Sequence, residues 1–171
     1  EGELVGLLFY AGVFLIAFLV PFLTTGIYIK SALNKGITGF DVNKLNRPRV
    51  AEMGGLTLFA GVLTAVSAGV LFTVFFNHDT PTTTLLLASL ASIAVIALVG
   101  MFDDLFRLSW ATKSLMPLAA SLPLVAVTAG DTAMALPFLG TIDFGWFYTL
   151  VLIPLGVSGA ANAINMSAGY N

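Results

Sequence analysis

The sequence of 171 residues contains no cysteine and a single histidine, and Asp, Glu, Lys and Arg together make up only 9% of it. Without cysteine there is no disulfide framework, no zinc–thiolate centre and no thiol nucleophile. A soluble globular domain carries roughly 25% charged residues, so this chain lacks the charge to coat itself for water. Disorder is excluded as well, because it needs low hydrophobicity and high net charge. Seven basic against nine acidic residues give a net charge of −2, and the resulting pI near 5.1 argues against nucleic acid as a partner. What abounds is hydrocarbon, with 58% apolar residues. This is the composition of an integral membrane protein.

Five stretches hold no Asp, Glu, Lys or Arg: 4–29, 53–77, 80–102, 114–130 and 144–171. A helix crossing a hydrocarbon core of ~30 Å needs about 20 mostly apolar residues. Four stretches reach that length, and the fourth in order reaches it if Lys113 snorkels outward. The expected fold is therefore an all-α polytopic membrane protein, a single transmembrane region over 1–171. Its five helices lie at about 4–30, 53–76, 82–102, 113–130 and 145–167, with larger loops at 31–52 and 103–112. The first stretch is not a signal peptide, because acids (Glu1, Glu3) precede it, it is too long, and it lacks an A-x-A cleavage site. The outer segment 131–143 has hairpin material in Leu136-Pro137 and Gly140-Thr141. A start without Met and a stop directly after a polar run are the marks expected of a fragment.

All seven basic residues fall in two places: Lys30, Lys35, Lys44, Arg47 and Arg49 after the first helix, and Arg107 and Lys113 between the third and fourth. The N-terminus and the two alternate loops (His78 and Asp79; Asp131 and Asp143) carry no Lys or Arg. The positive-inside rule then puts the basic loops in the cytoplasm and the N-terminus outside. Asp41, Glu52, Asp103 and Asp104 join the basic residues on that side, and the fifth helix delivers Asn162, Asn165 and Asn171 to it.

Three constellations carry the chemistry. The segment Gly39-Phe-Asp41-Val-Asn43-Lys44 leads through Arg47 and Arg49 to Glu52-Met-Gly54-Gly55. Such a loop can wrap an anionic nucleotide: cations meet phosphates, a carboxylate accepts from ribose hydroxyls, and glycines permit close approach. The plainer alternative is a juxtamembrane basic stretch that touches anionic head groups. Asp103-Asp104 closes the third apolar run, ahead of Arg107 and Lys113. Adjacent carboxylates can hold Mg²⁺ shared with a substrate phosphate, and acids at a helix C-terminus oppose its dipole; the alternative is a solvated helix end paired with Arg107. Asn162, Asn165 and Gly169 share one helix face, where amides must be hydrogen-bonded or face a polar cavity; the alternative is interhelical glue. Pro21, Pro117, Pro123 and Pro154 read as tolerated kinks, and Gly61 and Gly69 as close-packing positions.

Taken together, the chain resembles the polyprenyl-phosphate N-acetylhexosamine-1-phosphate transferases. The resemblance rests on Asp41…Lys44…Glu52-x-Gly54-Gly55, on Asp103-Asp104-x₈-Lys113-x₃-Pro117 and on Asn162-x₂-Asn165-x₃-Gly169-x-Asn171. Bacterial members of that family have acids where Ala168 and Asn171 stand here, so the chain looks closest to the eukaryotic and archaeal UDP-GlcNAc:dolichyl-phosphate GlcNAc-1-phosphate transferase branch. Ala51 departs from that branch, which often has Pro there. With acidic outer loops and no organelle signal, an archaeal plasma-membrane enzyme is the expected source. Family chains have about ten helices, which makes this the expected N-terminal half, inactive by itself.

The resemblance implies transfer of GlcNAc-1-phosphate from UDP-GlcNAc to dolichyl phosphate with release of UMP, the first step of lipid-linked oligosaccharide assembly. It implies Asp103, Asp104 and Lys113 at the catalytic centre, with Lys113 on the diphosphate. Asp41, Lys44, Glu52, Gly169 and Asn171 would bind substrate: Glu52 accepts from the ribose, Gly169 packs on the uracil and Asn171 reads its edge. Asn165 would ligate Mg²⁺, or Mn²⁺ in its place, with an acidic partner beyond residue 171, and Asn162 would support it. The expected partners are a UDP-sugar, a polyprenyl phosphate lipid and the membrane, with a homodimer allowed and no nucleic acid. Two other readings stand beside this: a bacterial-type undecaprenyl-phosphate sugar-1-phosphate transferase and, from another class, a fragment of a secondary transporter. Transporter sites lie near the bilayer midplane, whereas these polar clusters sit at one boundary.

Overall fold

The computed structural model describes residues 2–41, 44–77, 80–106 and 108–168, and it is mostly helical. Helix α1 (Gly2–Lys35) leads through a short hairpin, β1 (Thr38–Phe40) and β2 (Arg49–Ala51), into α2 (Gly55–Phe72), which continues as a wider π-turn over Thr73–Asn77. Helix α3 (Thr80–Phe106) is followed by α4 (Trp110–Ala120) and α5 (Leu122–Ala126). A second hairpin, β3 (Ala133–Leu136) and β4 (Gly140–Asp143), precedes α6 (Gly145–Phe147), a π-turn over Tyr148–Leu152 and α7 (Ile153–Ala168).

Among the described residues, four helical segments are long and apolar enough to cross a membrane: Gly6–Lys35, Gly55–Phe76, Thr80–Phe106 and Gly145–Met166. They are apolar all round and leave side chains such as Leu7, Phe14, Phe22 and Ile27 exposed. In water this would be costly, whereas hydrocarbon surroundings require it. The expected fourth span takes a different form, as two shorter helices. Pro123 brings no N–H to the helical ladder, and the Ser121 N–H turns to Leu118 O at 3.2 Å, a tighter i−3 bond that closes α4. The all-α expectation also meets two small antiparallel hairpins. The second of them lies where the turn residues of 131–143 pointed, with Ala133 opposite Asp143 and Leu136 opposite Gly140. The Asp143 carboxylate there accepts the Gly145 N–H at 2.9 Å, which draws its pKa below the ordinary carboxylate range.

Successive helices pack on one another, α1 on α2, α2 on α3 and α3 on α4, while α7 returns to α4. Gly61 is a point of close approach between α1 and α2: a methyl there would stand 2.6 Å from Pro21 Cδ and 2.9 Å from Ala17 O. Close backbone approach at small residues is how apolar helices associate without a hydrophobic drive. Gly69 is less crowded, since a methyl there would only reach ordinary contact with Phe9 and Leu86. A hydroxyl pair, Thr25 Oγ1 to Thr57 Oγ1 at 2.9 Å, adds a polar tie to the α1–α2 seam.

Candidate active site

The loop that joins α3 to α4 turns on a side-chain cap. Ser109 sits in extended backbone, and its Oγ accepts the Thr112 N–H at 3.2 Å, which starts α4 at Trp110. Lys113 therefore lies in the first turn of α4, opposite Asp103 in the last turn of α3. Lys113 Nζ donates to Asp103 Oδ2 at 3.2 Å. Each charge stands at the end of its helix that the dipole disfavours. Both side chains are part-exposed, at 30% and 24%, so their pairing contributes only about 0–1 kcal/mol to stability. Stability does not account for the pair.

Asp103, Asp104 and Lys113 open into a cavity of about 310 Å³, which Asn162 and Asn165 reach from α7. A second pocket of about 330 Å³ adjoins it and shares Lys113, Asn162 and Asn165 with it. Away from this polar end, the first cavity is walled by Leu56, Phe59, Ile96 and Ile164. Such a cavity suits an amphiphile, with an anionic head at Lys113 and hydrocarbon along the apolar wall. Asp104 faces the Met53 N–H and experiences Glu52 and Asp103 as like charges.

The two asparagines divide their work. Asn162 Nδ2 donates to Ser158 O at 2.9 Å, to Ser158 Oγ at 3.2 Å and to Ser114 O at 3.2 Å, which ties α7 to α4. Asn165, one turn on, is exposed at the cavity wall. Ser158 and Ser114 were not singled out in the sequence; Ser158 lies four residues before Asn162, a spacing that could have marked it. In the full-length protein, Asn162→Ala is expected to lower unfolding stability by about 0.6–2 kcal/mol, while Asn165→Ala leaves stability unchanged. Thermal denaturation in detergent checks both.

The other expected residues are placed as follows. Asp41 and Lys44 form an ion pair at 3.1 Å in the segment that joins β1 to β2, and neither lines the cavity. Glu52 follows β2 and also stands outside the cavity lining, next to Met53, which lines it. Gly169 and Asn171 lie outside the described residues, as do Asn43, His78, Asp79 and Arg107. Among the described residues, no three His, Asp or Glu side chains converge on one point. The cavity-lining residues that carry carboxylate or amide oxygens are Asp103, Asp104, Asn162 and Asn165. This hard set fits Mg²⁺ or Mn²⁺, ions that take oxygen ligands and leave positions for phosphate.

The fold and cavity define a polytopic helical membrane protein with a cationic and carboxylate-lined pocket at one end of its helices. Residues 86–171, which hold α4, α7 and most of α3, match the glycosyl transferase family 4 description, and the chain belongs to that family. A protein of Saccharolobus solfataricus, provisionally named a UDP-N-acetylglucosamine–dolichyl-phosphate N-acetylglucosaminephosphotransferase, is 33% identical over 92% of this chain and 47% of its own. One of Sulfolobus acidocaldarius with the same provisional name is 32% identical over the same shares. The Dictyostelium discoideum UDP-N-acetylglucosamine–dolichyl-phosphate N-acetylglucosaminephosphotransferase is 33% identical over 79% of this chain and 37% of its own. The chain spans about half the length, or less, of the relatives it matches.

Proposed function

We propose that the protein transfers GlcNAc-1-phosphate from UDP-GlcNAc to dolichyl phosphate, with these 171 residues supplying one part of the site and further residues of a longer enzyme completing it. The observation that carries this reading is the Lys113–Asp103 pair at the mouth of a cavity that also holds Asp104 and Asn165 and runs back along apolar walls. The names of the relatives support the substrates. In the reaction, an oxygen of the lipid phosphate attacks the β-phosphorus of UDP-GlcNAc. The bond from that phosphorus to the bridging oxygen breaks, and UMP leaves with the oxygen.

Phosphoryl transfer asks mainly for positioning and charge neutralisation. Lys113 holds the diphosphate, and Asp103 keeps the ammonium aimed into the cavity. A phosphate monoester has its second pKa near 6, so the acceptor is already largely dianionic at neutral pH and needs no strong base. Glu52 accepts from the ribose. Asp41, Lys44, Gly169 and Asn171 complete the substrate-binding set, Gly169 for packing on the uracil and Asn171 for reading its edge. Asn165 would ligate Mg²⁺ or Mn²⁺ together with an acidic residue beyond position 171, with Asp103 and Asp104 at hand. The bound ion would neutralise phosphate charge during transfer.

The basic loops and the cavity face the cytoplasm in this proposal, the N-terminus lies outside, and the membrane is the plasma membrane of an archaeon. A homodimer is compatible with it. Cysteines introduced at Asn43 and Leu108 of the full-length protein should stay unlabelled by an impermeant maleimide in intact cells and react once the membrane is opened; labelling in intact cells would reverse the orientation. The function itself is tested with full-length enzyme in liposomes. UMP should appear only when UDP-GlcNAc and dolichyl phosphate are both present, stop with EDTA and resume with Mg²⁺. UMP release that ignores the lipid acceptor would contradict it.

A further inference from the structure

We propose that Gly39 is a positioning residue for the UDP-sugar, and that it acts by seating the Glu52 carboxylate; this rests on the ribose-binding role of Glu52 given above. In the first hairpin, Gly39 pairs with Val50, and Glu52, two residues further on, rises on the same face as Val50. The Glu52 side chain occupies the space into which a side chain on Gly39 would project. A methyl built on Gly39 would overlap the Glu52 carboxylate oxygen and stand 3.0 Å from Cδ and 3.2 Å from Cγ. Gly39 has no need of an unusual backbone, since it lies within a regular strand. The missing side chain is therefore what this position contributes.

The backbone of Glu52 is held on two further sides, so the side chain is the part left to be seated. The Glu52 N–H donates to Ile37 O at 3.3 Å, and the Tyr28 hydroxyl donates to Glu52 O at 2.8 Å. The next residue, Met53, adopts a left-handed backbone with φ of 59°, uncommon for a side-chain-bearing residue. Its N–H faces Asp104. Glu52 thus carries its negative charge next to that of Asp104, which repels it. A flexible carboxylate under such repulsion would swing toward solvent unless it had a place to lie, and the notch over Gly39 is that place. Filling the notch displaces the carboxylate from where it meets a ribose.

The test is a double-mutant cycle in the full-length enzyme with Gly39→Ala, Glu52→Ala and the pair. Gly39→Ala should lower kcat/KM about ten- to a hundredfold, through KM for UDP-GlcNAc, with KM for dolichyl phosphate and the melting temperature unchanged. Glu52→Ala should raise the same KM. The pair should cost no more than Glu52→Ala, because truncation removes the atoms that the added methyl would strike. Additive losses, or a Gly39→Ala enzyme with lowered stability and unchanged KM, would make Gly39 a structural residue and overturn the proposal. A normal KM in Gly39→Ala beside a raised one in Glu52→Ala would also overturn it while sparing the role of Glu52. A normal KM in Glu52→Ala would instead remove the role of Glu52 itself, and the proposal with it.

Discussion

Lys113→Met in the full-length enzyme should lower turnover by about a hundred- to a thousandfold, the range for removing one preorganised group that meets developing charge. The ammonium stands at the junction of the two adjoining pockets and is anchored by Asp103 at 3.2 Å. Its removal would leave the diphosphate facing Asp103 and Asp104 uncompensated. Stability should scarcely change, because the pair is part-exposed and contributes at most about 1 kcal/mol. Lys113→Arg should recover part of the loss, since it retains the charge but replaces a compact ammonium with a planar fork. A Lys113→Met enzyme that kept its activity and lost stability would show the pair to be a strut between α3 and α4.

Asp104→Asn should reduce turnover at least about a hundredfold, the scale of loss that a misplacement of about 1 Å can bring. Asp104 sits where the Met53 N–H from the hairpin side and the carboxylates of Asp103 and Glu52 act together. The amide keeps the volume and an acceptor oxygen, so folding should survive. What disappears is the charge that balances Lys113 and attracts a cation. Turnover measured beside a melting curve separates the outcomes: lost activity with an unchanged melting temperature fits the account, and retained activity with a lowered one returns Asp104 to a structural role.

Much of this was legible in the sequence because the membrane makes charge scarce. Where a chain has so few charges, their absence outlines the long helices, and α1, α2 with its π-turn, α3 and the segment ending in α7 follow the charge-free runs. The convergence of Asp103, Asp104 and Lys113 with Asn162 and Asn165 was legible for the same reason, since polar residues at one end of apolar helices have few places to go. Gly61 was readable as a packing residue because only a missing side chain admits Pro21 so closely.

Other features carried no such signal. Strands of three residues, as in β1 and β2, are too short for a period of two to stand out, so the 31–52 segment read as a loop. The seat of Glu52 over Gly39 depends on hairpin register, which spacing alone does not reveal. The break at Ser121 competed with an apolar run that favoured one continuous helix, and local geometry at Pro123 prevailed. Asp103 pairs with Lys113, ten residues on, because the Ser109 cap reverses the chain. The pairing with Arg107 that i,i+4 spacing offered lies outside the described residues.

The central claim is that a sugar-phosphate, and not a bare sugar, passes to the lipid. It is tested most directly by giving the full-length enzyme UDP-GlcNAc labelled with ³²P at the β-phosphorus, together with dolichyl phosphate. The account predicts that the label enters the lipid fraction in equal amount to the UMP released. Label remaining in water as UDP, with sugar alone on the lipid, would contradict it.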